Sequence, residues 1–234
     1  MKLLKQIIVR IPLFALLIQL YYLVKVYGFA KSVWRQKPID SKKKLIPWFT
    51  YSAIEWLNQF DFSKKNFFEY GSGNSTIYWS ERVKNITSLE SDKKWYDEIE
   101  KKMPSNVKLV LKENDDDFYD FIDTENTKYD VIIIDSAWDN GKSIRENLVK
   151  KAINNISDNG MIIFDDTDFA CKNWFPRKDL RHEACKFLRD GGFIQIDFAG
   201  FRPINPGIFC TSVFLTKKFD FSSLTDKQPT LKWI

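Results

Sequence analysis

Cysteine and histidine are scarce in this chain of 234 residues, which holds Cys171, Cys185, Cys210 and a single histidine, His182. The cysteines are odd in number and lack paired motif spacing, which argues against a disulfide framework or a CxxC zinc site and fits a reducing compartment. Acidic side chains are almost missing from the first 44 positions, where ten Lys or Arg face the single Asp40, a local charge of +9. The whole chain carries +5, so the remainder sums to −4. The basic excess therefore belongs to the N-terminus, beside apolar residues, and points to an anionic membrane surface before nucleic acid. A long apolar run is lacking too. The uncharged stretch Ile11–Val24, between Arg10 and Lys25, spans about 21 Å as a helix, short of a hydrocarbon core of roughly 30 Å. Internal repeats and low-complexity tracts are absent.

What remains is a chain rich enough in apolar residues, 44% with 16% aromatic, to bury a substantial core. Its length suits one α/β domain with an extension. We divide it into a basic apolar helix with linker over 1–44, a domain over 45–217 and a C-terminal tail over 218–234. Residues 1–31 read as one helix, with Lys2, Lys5, Gln6 and Arg10 on one side of its first turns, as in a helix lying in a membrane interface. Snorkelling of Arg10 and Lys25 could extend it to a single pass. A helix packed on the body and a cleaved signal ending near Gly28-Phe29-Ala30 are the alternatives. Pro38 and Lys42-Lys43-Lys44 mark residues 32–44 as an exposed linker, and Pro47 opens a helix whose apolar side carries Tyr51, Ile54, Trp56 and Leu57.

Beyond Leu45, strands alternate with helices, the pattern of a largely parallel sheet with helical crossovers. Strands are expected at Asn66–Tyr70, Asn85–Glu90, Val107–Lys112, Tyr129–Asp135, Gly160–Asp165, Phe193–Phe198 and Thr211–Lys217. Helices are expected at Ser75–Arg82, Lys93–Lys102, Ser143–Ile156 and Lys178–Arg189. The run Val131-Ile132-Ile133-Ile134 is apolar on both faces, as a central parallel strand requires. Asp158-Asn159-Gly160 reads as the turn before the fifth strand.

The most informative stretch is Phe67-Phe68-Glu69-Tyr70-Gly71-Ser72-Gly73-Asn74-Ser75-Thr76, a buried strand that ends in an acid, turns on two glycines and enters a helix. Such a loop lets backbone approach a ligand at the carboxyl edge of the sheet. Glu90, nineteen residues after Gly71, closes the next strand where a carboxylate can accept from both hydroxyls of a ribose. A dinucleotide would want Gly or Ala at position 76 and no carboxylate beside its pyrophosphate; Thr76 and Glu69 oppose that. A sulfonium and an ammonium suit Glu69 instead, so the loop favours S-adenosylmethionine. Asn74, Asn85 and Asn155 match the N-glycosylation pattern, but Asn74 lies in this loop, and all three read as chance.

These motifs resemble the class I S-adenosylmethionine-dependent methyltransferase family. Glu69-Tyr70-Gly71-Ser72-Gly73 looks like its first motif, Glu90 like its second-strand acid, Tyr129–Asp135 like its fourth strand and Gly160–Asp166 like its fifth. The resemblance covers residues 60–217 and implies an α/β Rossmann-like domain with a seven-stranded, mostly parallel sheet, order 3-2-1-4-5-7-6, the last strand antiparallel. It implies that Glu69, Gly71 and Gly73 surround the methionine part of the cofactor, that Ser72, Asn74 and Asp135 also contact the cofactor, and that Glu90 holds its ribose. Asn114 or Asp115 would approach the adenine, unless the Asp115-Asp116-Asp117 run is a solvated turn. Trp95 would either flank the adenine or pack in its helix with Ile99.

Asp135 and the pair Asp165-Asp166 end adjacent strands and should converge near the transferable methyl, with Asp135 the candidate catalytic residue. This resembles metal-dependent O-methyltransferases, in which Mg²⁺ binds substrate oxygens; hydrogen bonding and turn capping are the other roles open to these acids. The Asp-Asp pair leans toward a sugar or polyol acceptor. His182 reads as a helix-surface residue or a general base. Trp174, Phe175, Arg177, Arg181 and Arg202 read as walls of an acceptor pocket that bind an anionic group, or as anchors of their loops. The expectation is a cytoplasmic O-methyltransferase for a small-molecule or glycan hydroxyl, held through residues 1–31 at the inner face of a membrane and needing no nucleic acid. A non-catalytic binding protein of the same fold and an NAD-dependent oxidoreductase are the alternatives.

Overall fold

The computed structural model describes residues 11–136, 145–167 and 181–226; Cys171, Trp174, Phe175, Arg177 and the first turns with Lys2, Lys5 and Arg10 lie outside them, as does the side chain of Arg181. The described residues open with α1 (Pro12–Tyr21) and a wider π-helical turn at Tyr22–Val26; a break at Gly28 interrupts the single helix expected over 1–31, and α2 (Phe29–Arg35) and α3 (Tyr51–Leu57) follow. Strands and helices then alternate: β1 (Asn66–Tyr70), α4 (Asn74–Ser80), β2 (Asn85–Glu90), α5 (Lys93–Ile99), β3 (Val107–Leu111), α6 (Asp115–Thr124), β4 (Tyr129–Ile134), α7 (Arg145–Asn155), β5 (Ile156–Phe164), α8 (Arg181–Asp190), β6 (Ile194–Gly200) and β7 (Phe209–Leu215).

The seven strands form one sheet in the order β3-β2-β1-β4-β5-β7-β6. Strands β1 to β5 pair in parallel, and β7 runs antiparallel to both neighbours. Side chains alternate between two cores, as the pleat demands. Phe67, Val131, Ile133, Met161 and Ile163 face one core with α3 and α4, while Phe68, Ile132, Ile134, Ile162 and Phe164 face the other with α6, α7 and α8. The expected fold is the observed one.

Several boundaries moved; the helix expected to open at Pro47 starts at Tyr51, N-capped by Thr50, and the last two strands are Ile194–Gly200 and Phe209–Leu215. Strand β5 starts at Ile156 rather than after the Asp158-Asn159-Gly160 turn, because Ile156 pairs with Tyr129 across a register irregularity. Residues 32–44 are only in part an exposed linker, with Lys42, Lys43 and Lys44 exposed as expected. Arg35 closes a helix, and Ser32, Ile39 and Asp40 are buried, since the Ser32 hydroxyl both donates to Ile39 O at 2.7 Å and accepts from Ile39 N at 3.1 Å. The described part of the tail is also folded onto the body, where Phe221 packs against Phe62 and Ser223 bridges to Phe60.

Candidate functional site

Strand order reverses between β1 and β4, where successive crossovers leave in opposite directions and the carboxyl ends of the strands part. A cleft of about 540 Å³ opens there. Its walls come from the turns after β1, β2, β4 and β5, and from two segments the sequence did not mark, Gln36–Pro38 and Trp48.

The β1 turn is held close to β4. Gly71 has φ +94°, and a Cβ on it would stand 2.6 Å from Asp135 O, so only glycine fits. Gly73 differs: the nearest atom to its virtual Cβ is the Trp95 indole at 4.0 Å, leaving an open hollow on the cleft. The turn is fixed from both sides. Glu90 Oε2 accepts from the backbone N and hydroxyl of Ser72, at 3.3 and 2.6 Å, while Oε1 accepts from the backbones of Ser91 and Asp92. Trp95 Nε1 donates to Ser72 O at 3.0 Å. The Trp95 ring lines the cleft and is 39% exposed.

Glu69 lies beneath this turn, fully buried, and is not among the residues lining the cleft. Its Oε2 accepts from Thr76 Oγ1 at 2.5 Å and Ser88 Oγ at 2.8 Å, and Thr76 Oγ1 in turn accepts from Gly73 N at 2.9 Å. This explains Thr76: the amide that would meet a pyrophosphate is occupied from inside by the helix's own side chain. Glu69 Oε1 has no hydrogen-bond partner in normal geometry. Burial pushes its carboxyl up to about 7, against the pull of the surrounding hydroxyls. Such a group binds a proton more tightly folded than unfolded, so stability should fall as pH rises from the ordinary 4.5 toward 7. Glu69→Gln should flatten that slope by roughly 3 kcal/mol, measured by urea unfolding across the range; an unchanged slope would place the titration elsewhere. Asp165, also raised by burial and by Asp166 and Asp135, adds a slope of the same sign.

The opposite wall is built on two arginines. Arg145, buried at the start of α7, donates to Ser136 O and to Asp165 O, and stands 3.8 Å from Asp135 Oδ1. It ties together the exits of β4 and β5; nothing in the local sequence signals it. Arg202, in the turn between β6 and β7, pairs with Asp166 Oδ1 and lies 3.8 Å from Asp165 Oδ2. Its guanidinium sits 3.7 Å over the Phe209 ring and 5.5 Å from that of Trp48. Asp165 Oδ1 accepts from Thr211 Oγ1 at 2.5 Å.

The expected Mg²⁺ set is therefore not assembled. Asp135, Asp165 and Asp166 all reach the cleft, but the positive charge beside the pair is Arg202. Among the described residues no three His, Cys, Asp or Glu side chains are grouped to hold a metal ion. Asn74 and Ser72 line the cleft as expected. Asp115 does not: it is exposed in the first turn of α6, whose N-cap is Asn114, while Phe118 one turn on reaches the cleft. His182 is exposed on α8 and is absent from the cleft lining.

No family model and no curated protein matches the chain. Solved structures do. Precorrin-6y C5,15-methyltransferase from Geobacter metallireducens GS-15 superposes with a TM-score of 0.52 at 14% identity, covering 71% of this chain and 87% of that one. The O-methyltransferase TomG from Streptomyces achromogenes, in complex with SAM, gives 0.53 at 12%, covering 70% and 77%. SMU.1697c from Streptococcus mutans, in complex with SAH, gives 0.50 at 13%, covering 73% and 99%. The chain has the class I methyltransferase fold. Its own residues fit the cofactor of that fold at the points the geometry leaves available: a glycine hollow at Gly73, an indole beside it, and a carboxylate, Glu90, closing β2 at the rim.

Proposed function

We infer that this chain is an S-adenosylmethionine-dependent methyltransferase that acts on a hydroxyl of a small-molecule or sugar acceptor. The observation that carries the reading is the β1 turn: Gly71 packed on β4, Gly73 open to the cleft, and Glu90 locking Ser72 from the next strand. When bound, the cofactor supplies an activated methyl on a sulfonium. Glu90 would hold the ribose hydroxyls, Gly73 and Asn74 the methionine end, and Trp95 a flank of the adenosine. Glu69 acts from below, keeping Thr76 and the turn in place.

The chain's contribution to rate is then positioning and removal of a proton. Asp135, only partly exposed at the exit of β4, would accept the hydroxyl proton as the oxygen attacks, with the Arg145 guanidinium 3.8 Å from its Oδ1. Trp48, 41% exposed on the cleft, offers a flat apolar face of the kind a sugar ring stacks on. The carboxylates nearby offer acceptors for its hydroxyls. Because Arg202 neutralises the acidic pair, transfer is expected to survive EDTA. Loss of activity on chelation, restored by Mg²⁺, would show that Arg202 moves aside for a metal.

The defining experiment is calorimetry with S-adenosylmethionine, S-adenosylhomocysteine and NAD, followed by incubation of the protein with a cell extract and deuterated-methyl cofactor. Binding of the first two and not NAD, with labelled methyl appearing on oxygen, is the expected result. Binding without turnover would support a non-catalytic protein of the same fold. Asp135→Asn should lower turnover by about 10²–10⁴ with cofactor affinity retained.

A further inference from the structure

The helix α1 is apolar and has no buried residue. Leu13, Phe14, Leu16, Leu17, Ile18 and Leu20 are each 38–63% exposed. At 100° per residue they cover more than half of the helix circumference, and Gln19 is the one amide among them. A soluble body rarely leaves so much contiguous apolar surface to water. A protein groove or a second copy covers one side of a helix, whereas here the uncovered side chains face several directions at once. An acyl environment solvates a helix all round.

The flanks have the chemistry of a headgroup layer. Lys25, Lys31 and Arg35 are exposed beyond the apolar stretch, Trp34 is 88% exposed, and residues 1–44 carry +9. Among the described residues no single helix is long and apolar enough to cross a membrane, and the stretch Pro12–Val26 meets α2 at a 54° bend.

The bend is fixed to the body. Gly28 has φ +79°, and a Cβ there would lie 2.5 Å from Asp40 C. Tyr27 stacks on Tyr51 with ring centroids 4.6 Å apart, and Lys31 Nζ donates to Ser41 O at 2.5 Å. One residue past α2 the chain reaches Gln36, which with Pro38 lines the cleft. Since α2 rises only about 10 Å, the cleft wall stands within that reach of the bend at Gly28.

We propose that α1 inserts into an anionic lipid bilayer, with Lys25, Lys31 and Trp34 at the headgroups, and that the fixed bend at Gly28 thereby holds the cleft beside the membrane surface. The insertion is independent of the catalytic reading and can stand or fall without it. The test uses the full chain and vesicles of phosphatidylcholine with phosphatidylglycerol, against phosphatidylcholine alone. The wild type should float with the mixed vesicles, and bromolipids should quench an emission component that Trp34→Phe removes. The double substitution Leu13→Glu, Leu17→Glu should reduce flotation at least tenfold and leave the circular dichroism spectrum and thermal midpoint unchanged, which shows that the body is folded. Flotation equal in the double variant, or none in the wild type, would overturn the proposal. So would a dimer in sedimentation that the same two substitutions dissolve, which would assign the surface to a second copy of this chain.

Discussion

Glu90→Ala should weaken S-adenosylhomocysteine binding by about 1.5–3 kcal/mol, or roughly 10- to 150-fold, the range for a hydrogen-bonded charged group. The effect has two sources. The carboxylate would accept from the ribose, and it also fixes Ser72, Ser91 and Asp92 through four hydrogen bonds. Glu90→Gln keeps the size and part of the bonding to Ser72, so it should lie between wild type and alanine. Calorimetry on both, with thermal midpoints measured alongside, separates ligand contact from loop order. Affinity unchanged within error in both variants would remove Glu90 from the site.

The second large effect is a contrast between two glycines two residues apart. Gly71→Ala should destabilise the fold by on the order of 2–4 kcal/mol, a thermal shift of roughly 5–15 °C. The added carbon meets backbone at Asp135, which cannot swing away, and the residue must hold a positive φ. Gly73→Ala should leave the thermal midpoint nearly unchanged, because its Cβ meets only open space and the edge of Trp95. It should instead lower cofactor affinity, since that open space is where the methionine end would lie. Differential scanning calorimetry without ligand and titration with it would reveal the crossed pattern. Equal thermal losses in the two variants would show that the hollow at Gly73 is a packing feature rather than a ligand contact.

The strands and the glycine turn were legible because they are written locally. A strand alternates with period two or runs apolar, a glycine turn follows, and the acid of the next strand falls at a fixed interval; Phe67–Gly73, Glu90 and Val131–Ile134 each carry such a signal. The N-terminal apolar stretch was legible in the same way, by composition. Structure decided whatever depended on residues far apart in the chain. Arg202 meets Asp166 across 36 positions, and that contact, invisible to spacing, puts a guanidinium where the acidic pair had suggested a divalent cation. Arg145 reads as one more helix charge until the exits of β4 and β5 close around it. Gln36, Pro38 and Trp48 join the cleft only because Ser32 and Ile39 fold the expected linker onto the body and Trp48 bonds to Pro203 across 155 positions. Sequence by itself determined the succession of strands and helices and the place of the glycine turn, since both rest on backbone geometry and local hydrophobic period, while the order of the strands in the sheet was implied by the family resemblance. The charge balance of the cleft and the identity of its far wall rest on long-range side-chain pairing, and only the tertiary structure brought those pairs together.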